Sequence, residues 1–434
     1  IKHIKFLGPV AIMIFAGAAL YYLGIDPVER LLNGYDRRDF TPLQRLLTEP
    51  RVIIYYIGLF FFPAHSRLIL DHDYPLFQSQ FIPFFPILSL TAIIILIAVA
   101  FYRPKRHMLF FFAIIWFFGN LVIESTIIPI EIIYEHRNYL PFMLPCLLVS
   151  FYAYRLMKKY KWLYLGMIIL LVLLLGSETW QRNAIWQDPV AFARYGVSKA
   201  PDKFRPHHNL GVNLMEQGRL AEAVTALRRA LTIEPHNPNK IDKKAKCYNT
   251  LGLTLMKKNE PGRAVKNFSK AIHLAPGYPE ASINIARALL KQKRPGAAVD
   301  HLTAFLSKYP EDAKAHLTMG NAYAQTGNFS KAELHMRNAL AADPYDMNAL
   351  NSLGNVLAQQ GHVDEAIEHF KRAIHIHPDF ASAYSNLGNA LAQAGRFKEA
   401  IHYYEKAIDI KPNYERAREN LEKVKAYMEK NKKF

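Results

Sequence analysis

Two short stretches gather residue types able to bind or process a charged substrate. Pro63 to Pro75 holds Arg67, Asp71, His72 and Asp73, and the run from Glu124 through Glu131 to Tyr139 adds Glu135, His136 and Arg137. Guanidinium groups recognise phosphate or carboxylate through paired N–H donors, while carboxylates and imidazoles move protons or hold a divalent ion. Glu131 and Glu135 share a face if that segment is helical. Glu124 interrupts an apolar run, where an ionisable group is costly and is a functional candidate by default. The same residues equally make an ion-pair cluster that only sets loop geometry, Glu135 with Arg137 for instance.

Other chemistry is sparse. The two cysteines lie apart, Cys146 inside an apolar run and Cys247 in the water-soluble half, and no C-x-x-C pair occurs. That pattern argues against structural zinc, attached haem and dithiol chemistry. His207-His208 and the pair His375 and His377 read as exposed helix or turn residues, so no metal is assigned and no cofactor is evident from the residues themselves.

The elements that would position these groups differ between the two halves. Phe6 to Gly24, Ile82 to Tyr102, Met108 to Ile127, Leu140 to Met157 and Leu163 to Gly176 are apolar runs of spanning length, and Val52 to Ala64 is a shorter sixth. A helix rising about 1.5 Å per residue needs about 20 residues to cross a hydrocarbon core. If all six cross, 12 Lys and Arg fall in loops on one side and 4 on the other. Positive loops stay cytoplasmic, so the Pro63 to Pro75 and Glu124 to Tyr139 clusters and the whole second half face outward. The second half is expected in the periplasm, anchored in a bacterial inner membrane, or in the lumen of a eukaryotic organelle. The net charge of +18 holds in both halves, with 16 basic and 11 acidic residues up to position 180 and 38 against 25 beyond. An outward-facing basic surface fits lipid headgroups or simple solvation and argues against nucleic acid. The sequence begins at Ile1 rather than Met, so further chain is expected upstream.

The second half is periodic. A small residue is followed 12 positions later by Ala, 4 later by a bulky apolar residue, and then by Pro. The small residues are Gly211, Gly252, Ala286, Gly320, Gly354 and Gly388, spaced 41, 34, 34, 34 and 34 apart. Their bulky partners are Leu227, Phe268, Leu302, Met336, Phe370 and Tyr404, and the extra length falls at Pro238 to Lys244. This period resembles the tetratricopeptide repeat, a helical hairpin that buries its apolar face only against its neighbours. The expected fold class is therefore all-α, a polytopic transmembrane helix bundle followed by a tetratricopeptide-repeat α-solenoid. The segments are 1–180 in the membrane, 181–203 as linker and half-repeat helix, 204–412 as six repeats and 413–434 as a capping helix.

First helices of such repeats line a groove. Polar residues two before each small marker are Asn209, Asn284, Thr318, Ser352 and Asn386, and those one after are Asn321, Asn355 and Asn389. Side-chain amides donate to and accept from an extended peptide backbone without demanding one sequence, so a polypeptide is the expected partner. Capping or solvation is the bland alternative. A similar ladder of asparagines occurs in O-linked N-acetylglucosamine transferase, and the resemblance implies that it holds acceptor protein.

The string Tyr134-Glu-His-Arg-Asn-Tyr-Leu-Pro141, followed by further spans and an outward repeat array, resembles multispanning tetratricopeptide proteins related to the transmembrane O-mannosyltransferases. The resemblance implies a polyprenol-dependent glycosyltransferase fold using a polyprenol-phosphate sugar on the outer face. The family's catalytic acid usually lies in a first outward loop, here upstream of Ile1. Arg67, His72, Glu135, His136 and Arg137 are then the expected contacts to donor phosphate or acceptor. A noncatalytic scaffold that assembles envelope proteins remains the competing expectation.

Overall fold

The computed structural model describes residues 41–61, 84–102, 104–121, 139–233 and 241–431, and every described element is a helix or turn. The chain divides into two compact units, Ile1–Cys247 and Tyr248–Phe434.

In the first unit, α1 (Pro42–Phe61), α2 (Phe84–Phe101), α3 (Met108–Leu121) and α4 (Tyr139–Met157) follow four of the apolar runs. α1 begins ten residues ahead of the run at Val52, because Thr41 and Gln44 cap its start by exchanging backbone-to-side-chain hydrogen bonds. The first run lies outside the described residues. Phe142 of α4 is the meeting point: its ring stacks on Phe60 at 4.8 Å and lies 5.1 Å from Phe117. Trp116 Nε1 donates to the Leu140 carbonyl at 2.7 Å, tying α3 to the first turn of α4.

α4 ends in a short 3-10 turn, Lys158–Tyr160, and α5 runs from Lys161 to Gln187. Among the described residues, Leu140–Gln187 is the one stretch long and apolar enough to cross a membrane. It is not one straight rod. Tyr160 leaves the helical region at φ −120° and ψ 53°. The rings of Tyr154 and Tyr164 meet edge to face at 5.8 Å, whereas ten residues of straight helix would separate them by about 15 Å. The apolar arms are exposed: Leu170 by 57% and Leu173 by 65%. α5 continues unbroken past position 181 to Gln187, so a single helix carries the chain out of the apolar stretch and through the start of the expected linker.

Asp188 then caps α6 (Pro189–Lys199), accepting from Val190 N–H. α6 lies within the expected linker segment 181–203, and Trp186 meets Phe192 at 5.1 Å across the junction. α6 packs on the first hairpin, α7 (Phe204–Glu216) and α8 (Leu220–Thr232), through Val190, Leu214, Ala223 and Ala226. α9 (Ile241–Lys257) has 17 residues where the other first helices have 13, so Ile241 to Lys244 of the expected insertion form extra helix rather than loop.

The remaining helices complete the array: α10 (Pro261–Leu274), which pairs with α9; α11 (Pro279–Lys291) with α12 (Pro295–Leu306); α13 (Ala313–Gln325) with α14 (Phe329–Ala342); α15 (Met347–Gln359) with α16 (Val363–Ile376); and α17 (Ala381–Gln393) with α18 (Phe397–Ile410). The last helix, α19 (Glu415–Asn431), covers the final hairpin through Ala417, Leu421 and Val424.

The periodic residues do what their sizes predict. A Cβ on Gly354 would fall 2.7 Å from the Phe370 ring, and one on Gly388 2.7 Å from the Tyr404 ring. Each glycine therefore leaves the space that its bulky partner sixteen residues later occupies, and both partners are buried. Seven residues after each marker the inter-helix turn needs positive φ. Glycine supplies it at Gly218, Gly327, Gly361 and Gly395, while Asn259 and Lys293 adopt it at 65° and 58°.

Candidate functional site

The first-helix face of the second unit is the candidate site. On helices α11, α13, α15 and α17 the positions six and two before the marker and one and five after it share one face, because they are spaced by four, three and four residues. On α15 they are Asn348, Ser352, Asn355 and Gln359; on α17, Ser382, Asn386, Asn389 and Gln393; on α13, Lys314, Thr318, Asn321 and Gln325. Across these three repeats Lys314 is the single charged member. On α11 the same positions hold Glu280, Asn284, Arg287 and Lys291, so the face becomes charged toward that end.

Neighbouring first helices are stitched by a recurring pair of hydrogen bonds. Asn284 Nδ2 donates to Asn249 Oδ1 at 3.0 Å, and Asn386 Nδ2 donates to Asn351 Oδ1 at the same distance. Five residues past the marker, Lys291 Nζ donates to the Met256 carbonyl at 2.8 Å and Gln393 Nε2 to that of Ala358 at 3.3 Å. All four bonds span 35 residues, one repeat plus one.

The expected groove residues thus separate into classes. Asn284 is buried and Asn386 half-buried at these seams, where they join repeats rather than face outward. Thr318 is buried and its hydroxyl donates back to the Lys314 carbonyl at 2.7 Å, a local helix bond. Ser352 is half-buried beside Asn351. Asn355 is exposed, Asn321 half-exposed, and among the described residues neither has a hydrogen-bond partner. Asn389 is exposed but engaged: its Oδ1 accepts from Tyr404 Oη at 2.7 Å and Asn420 Nδ2 at 2.8 Å. Asn209 is exposed in the first unit. The seam acceptors Asn249 and Asn351 lay three before the marker, one position from those the periodic reading selected.

The opposite, second-helix layer is charged. Arg337 bridges Glu333 at 3.0 Å and Glu365 at 2.8 Å, and hydrogen bonding to Arg337 holds the Glu365 carboxyl below its ordinary range. Imidazoles fill the space between layers. His316 Nε2 lies 2.9 Å from the Pro310 carbonyl and its Nδ1 lies 3.0 Å from His335 Nδ1. A carbonyl only accepts, so Nε2 of His316 carries the proton, its Nδ1 accepts, and His335 Nδ1 donates. Burial, then the neighbouring His316 and Lys331, pushes the His335 imidazole below its ordinary value. In the first unit His207 bonds the Pro201 carbonyl in the same way at 2.8 Å, and at the last turn Arg418 donates to the Pro412 carbonyl at 2.7 Å. Cys247 is buried, donates to the Leu227 carbonyl at 3.6 Å and is pushed up to about 12 by burial, an inert thiol.

The other candidate set lies elsewhere in the chain. Arg67, Asp71, His72, Asp73, Glu124, Glu131, Glu135, His136 and Arg137 fall outside the described residues.

Comparison with known proteins places the tetratricopeptide repeat on residues 204–237 in one form, and on 249–313, 284–347, 317–379 and 351–415 in another. The repeats read from the spacing are therefore tetratricopeptide repeats. Human Protein O-mannosyl-transferase TMTC1 is 29% identical over 118 residues, a stretch covering 26% of this chain and 13% of that protein. The chain thus matches a small fraction of that relative's length. Among solved structures, the APC/C hetero-tetramer Cut9-Hcn1 matches at 14% identity and TM-score 0.46, covering 54% of this chain and 44% of that one. A tetratricopeptide protein from Thermus thermophilus matches at 22% and 0.39, covering 42% and 98%. PilF from Pseudomonas aeruginosa matches at 17% and 0.40, covering 50% and 95%.

Proposed function

We propose that this chain holds an extended polypeptide along the first-helix face of its tetratricopeptide repeats, at the outer surface of a membrane, within a protein O-glycosyltransferase that uses a polyprenol-phosphate sugar. One observation carries the polypeptide part: the exposed and half-exposed positions on the face of α13, α15 and α17 are Asn, Gln and Ser with a single charge, Lys314. Exposed amides such as those of Asn355, Gln359 and Asn348 each offer donors and an acceptor, which matches peptide groups repeating along an extended chain. The seam bonds fix helix against helix, so the face needs little ordering when it binds.

Membrane attachment is supported by the exposed apolar arms of α4 and α5, whose burial in lipid removes a surface too large to leave in water. The transferase part is supported by the Tyr134 to Pro141 string and by the partial likeness to the human O-mannosyltransferase. Its test is transfer of sugar from a polyprenol-phosphate donor to protein captured on the repeats in native membranes. Loss of transfer, with capture retained, in Glu135→Gln and Arg137→Ala supports the reading; transfer indifferent to both removes these residues from it.

A noncatalytic scaffold is the second reading, favoured by the face itself. The twelve face positions of α13, α15 and α17 include no carboxylate, imidazole or thiol, so that surface binds without doing chemistry. Capture of unmodified envelope subunits would favour this reading.

A further inference from the structure

The geometry points to the bend between α4 and α5 as a docking site for anionic phospholipid headgroups. The inference rests on the reading of these helices as membrane-embedded.

The contact between Tyr154 and Tyr164 and the break at Tyr160 put Lys158, Lys159 and Lys161 at the apex of a turn between two apolar arms. Arg155 lies one helical turn before it. From position 139 to 177 the sequence has these four cations and no Asp or Glu. All four side chains are exposed, and among the described residues none makes an ion pair. Three ammonium groups within four residues repel one another, and nothing in the segment neutralises them.

The depth is set by the arms. Tyr139–Met157 is 19 residues, about 28 Å of helix, and Trp162 to Trp180 is 18 steps, about 27 Å. Both lengths approximate a hydrocarbon core of about 30 Å, so the apex falls where hydrocarbon gives way to headgroups. Its aromatic residues agree: Tyr160 is 59% and Trp162 75% exposed, rings of the kind that settle at headgroup level. The ammonium groups of Lys159 and Lys161 lie 5.9 and 5.5 Å from those ring centroids. Ring faces draw the two cations to the same depth, where lipid phosphates complete the neutralisation. Zwitterionic headgroups bring phosphate with a compensating cation; anionic headgroups bring uncompensated charge, which the apex matches.

The test uses the full chain floated with phosphatidylcholine vesicles, with and without phosphatidylglycerol, followed by native mass spectrometry of the lipids it retains. The wild-type chain is expected to float with both and to retain phosphatidylglycerol preferentially, less so as salt rises. K158Q/K159Q/K161Q should still float, with the preference lowered by roughly a hundredfold, as about fivefold per lysine implies. K158R/K159R/K161R should keep it. A wild-type chain that inserts without preference, or a glutamine variant that retains the full preference, overturns the headgroup site while leaving membrane insertion standing. A chain that floats with neither vesicle overturns the membrane reading and the site with it.

Discussion

The Tyr404 hydroxyl donates to the side-chain oxygen of Asn389 at 2.7 Å, so one residue links the packing between helices to the exposed face. The Tyr404 ring fills the space left by Gly388, and burial pushes its hydroxyl up to about 12, keeping it a protonated donor. Because Asn420 Nδ2 donates to the same oxygen, the orientation of the exposed Asn389 amide is held by two bonds. Tyr404→Phe keeps the ring and removes the donor. The expected cost is about 1 kcal/mol, read as a lower denaturant midpoint with an unchanged slope.

Gly354→Ala places a methyl 2.7 Å from the buried Phe370 ring, so the ring must shift. Overpacking of this kind costs about 1–3 kcal/mol. The third repeat already pairs alanine with a smaller residue, Ala286 with Leu302. Adding Phe370→Leu to Gly354→Ala should therefore recover part of the loss, and a double-mutant cycle from thermal unfolding in detergent gives the coupling directly.

Lys293 occupies the turn position where four other repeats have glycine, at φ 58°. Lys293→Gly relieves the left-handed strain and is expected to stabilise the array by about 1 kcal/mol, visible as a raised thermal midpoint. The same change at an ordinary helical lysine, Lys371, should lower it.

Burial holds His301, His335 and His369 below the ordinary imidazole value. The unfolded chain binds these protons at about pH 6.5 while the folded chain resists them. Stability is therefore fully present above that pH and is lost as pH falls through it. At His335 the neighbouring His316 and Lys331 add to the effect of burial. Thermal midpoints should fall between about pH 7 and pH 5, with a shallower fall in His335→Gln.

The repeats were legible because a helical hairpin needs a small residue where its helices cross, and that need recurs at fixed spacing in Gly320, Gly354 and Gly388. Exposure on the first helices was legible one position at a time. The position after the marker is exposed at Asn355 and Asn389 and half-exposed at Asn321. Two positions before the marker, Asn284 and Asn386 turned out to face the seam with the preceding repeat. Periodicity gives the angle of a side chain around its own helix, but the neighbouring helix that captures it is 35 residues away in sequence. Likewise, five of the six apolar runs are followed wholly or in part by packed or bent helices, while the bend at Tyr160 is marked in sequence only by its lysines.

The most direct test of the central claim is photo-crosslinking of the full chain in native membranes, with the reactive group at Asn355 on the first-helix face and, as control, at Lys371 on the second-helix layer. Polypeptide captured from Asn355 and not from Lys371, and competed by excess unlabelled captured protein, is the predicted result. Equal capture from both positions, or none from Asn355 while the chain remains folded, would contradict a polypeptide-binding face on the first helices.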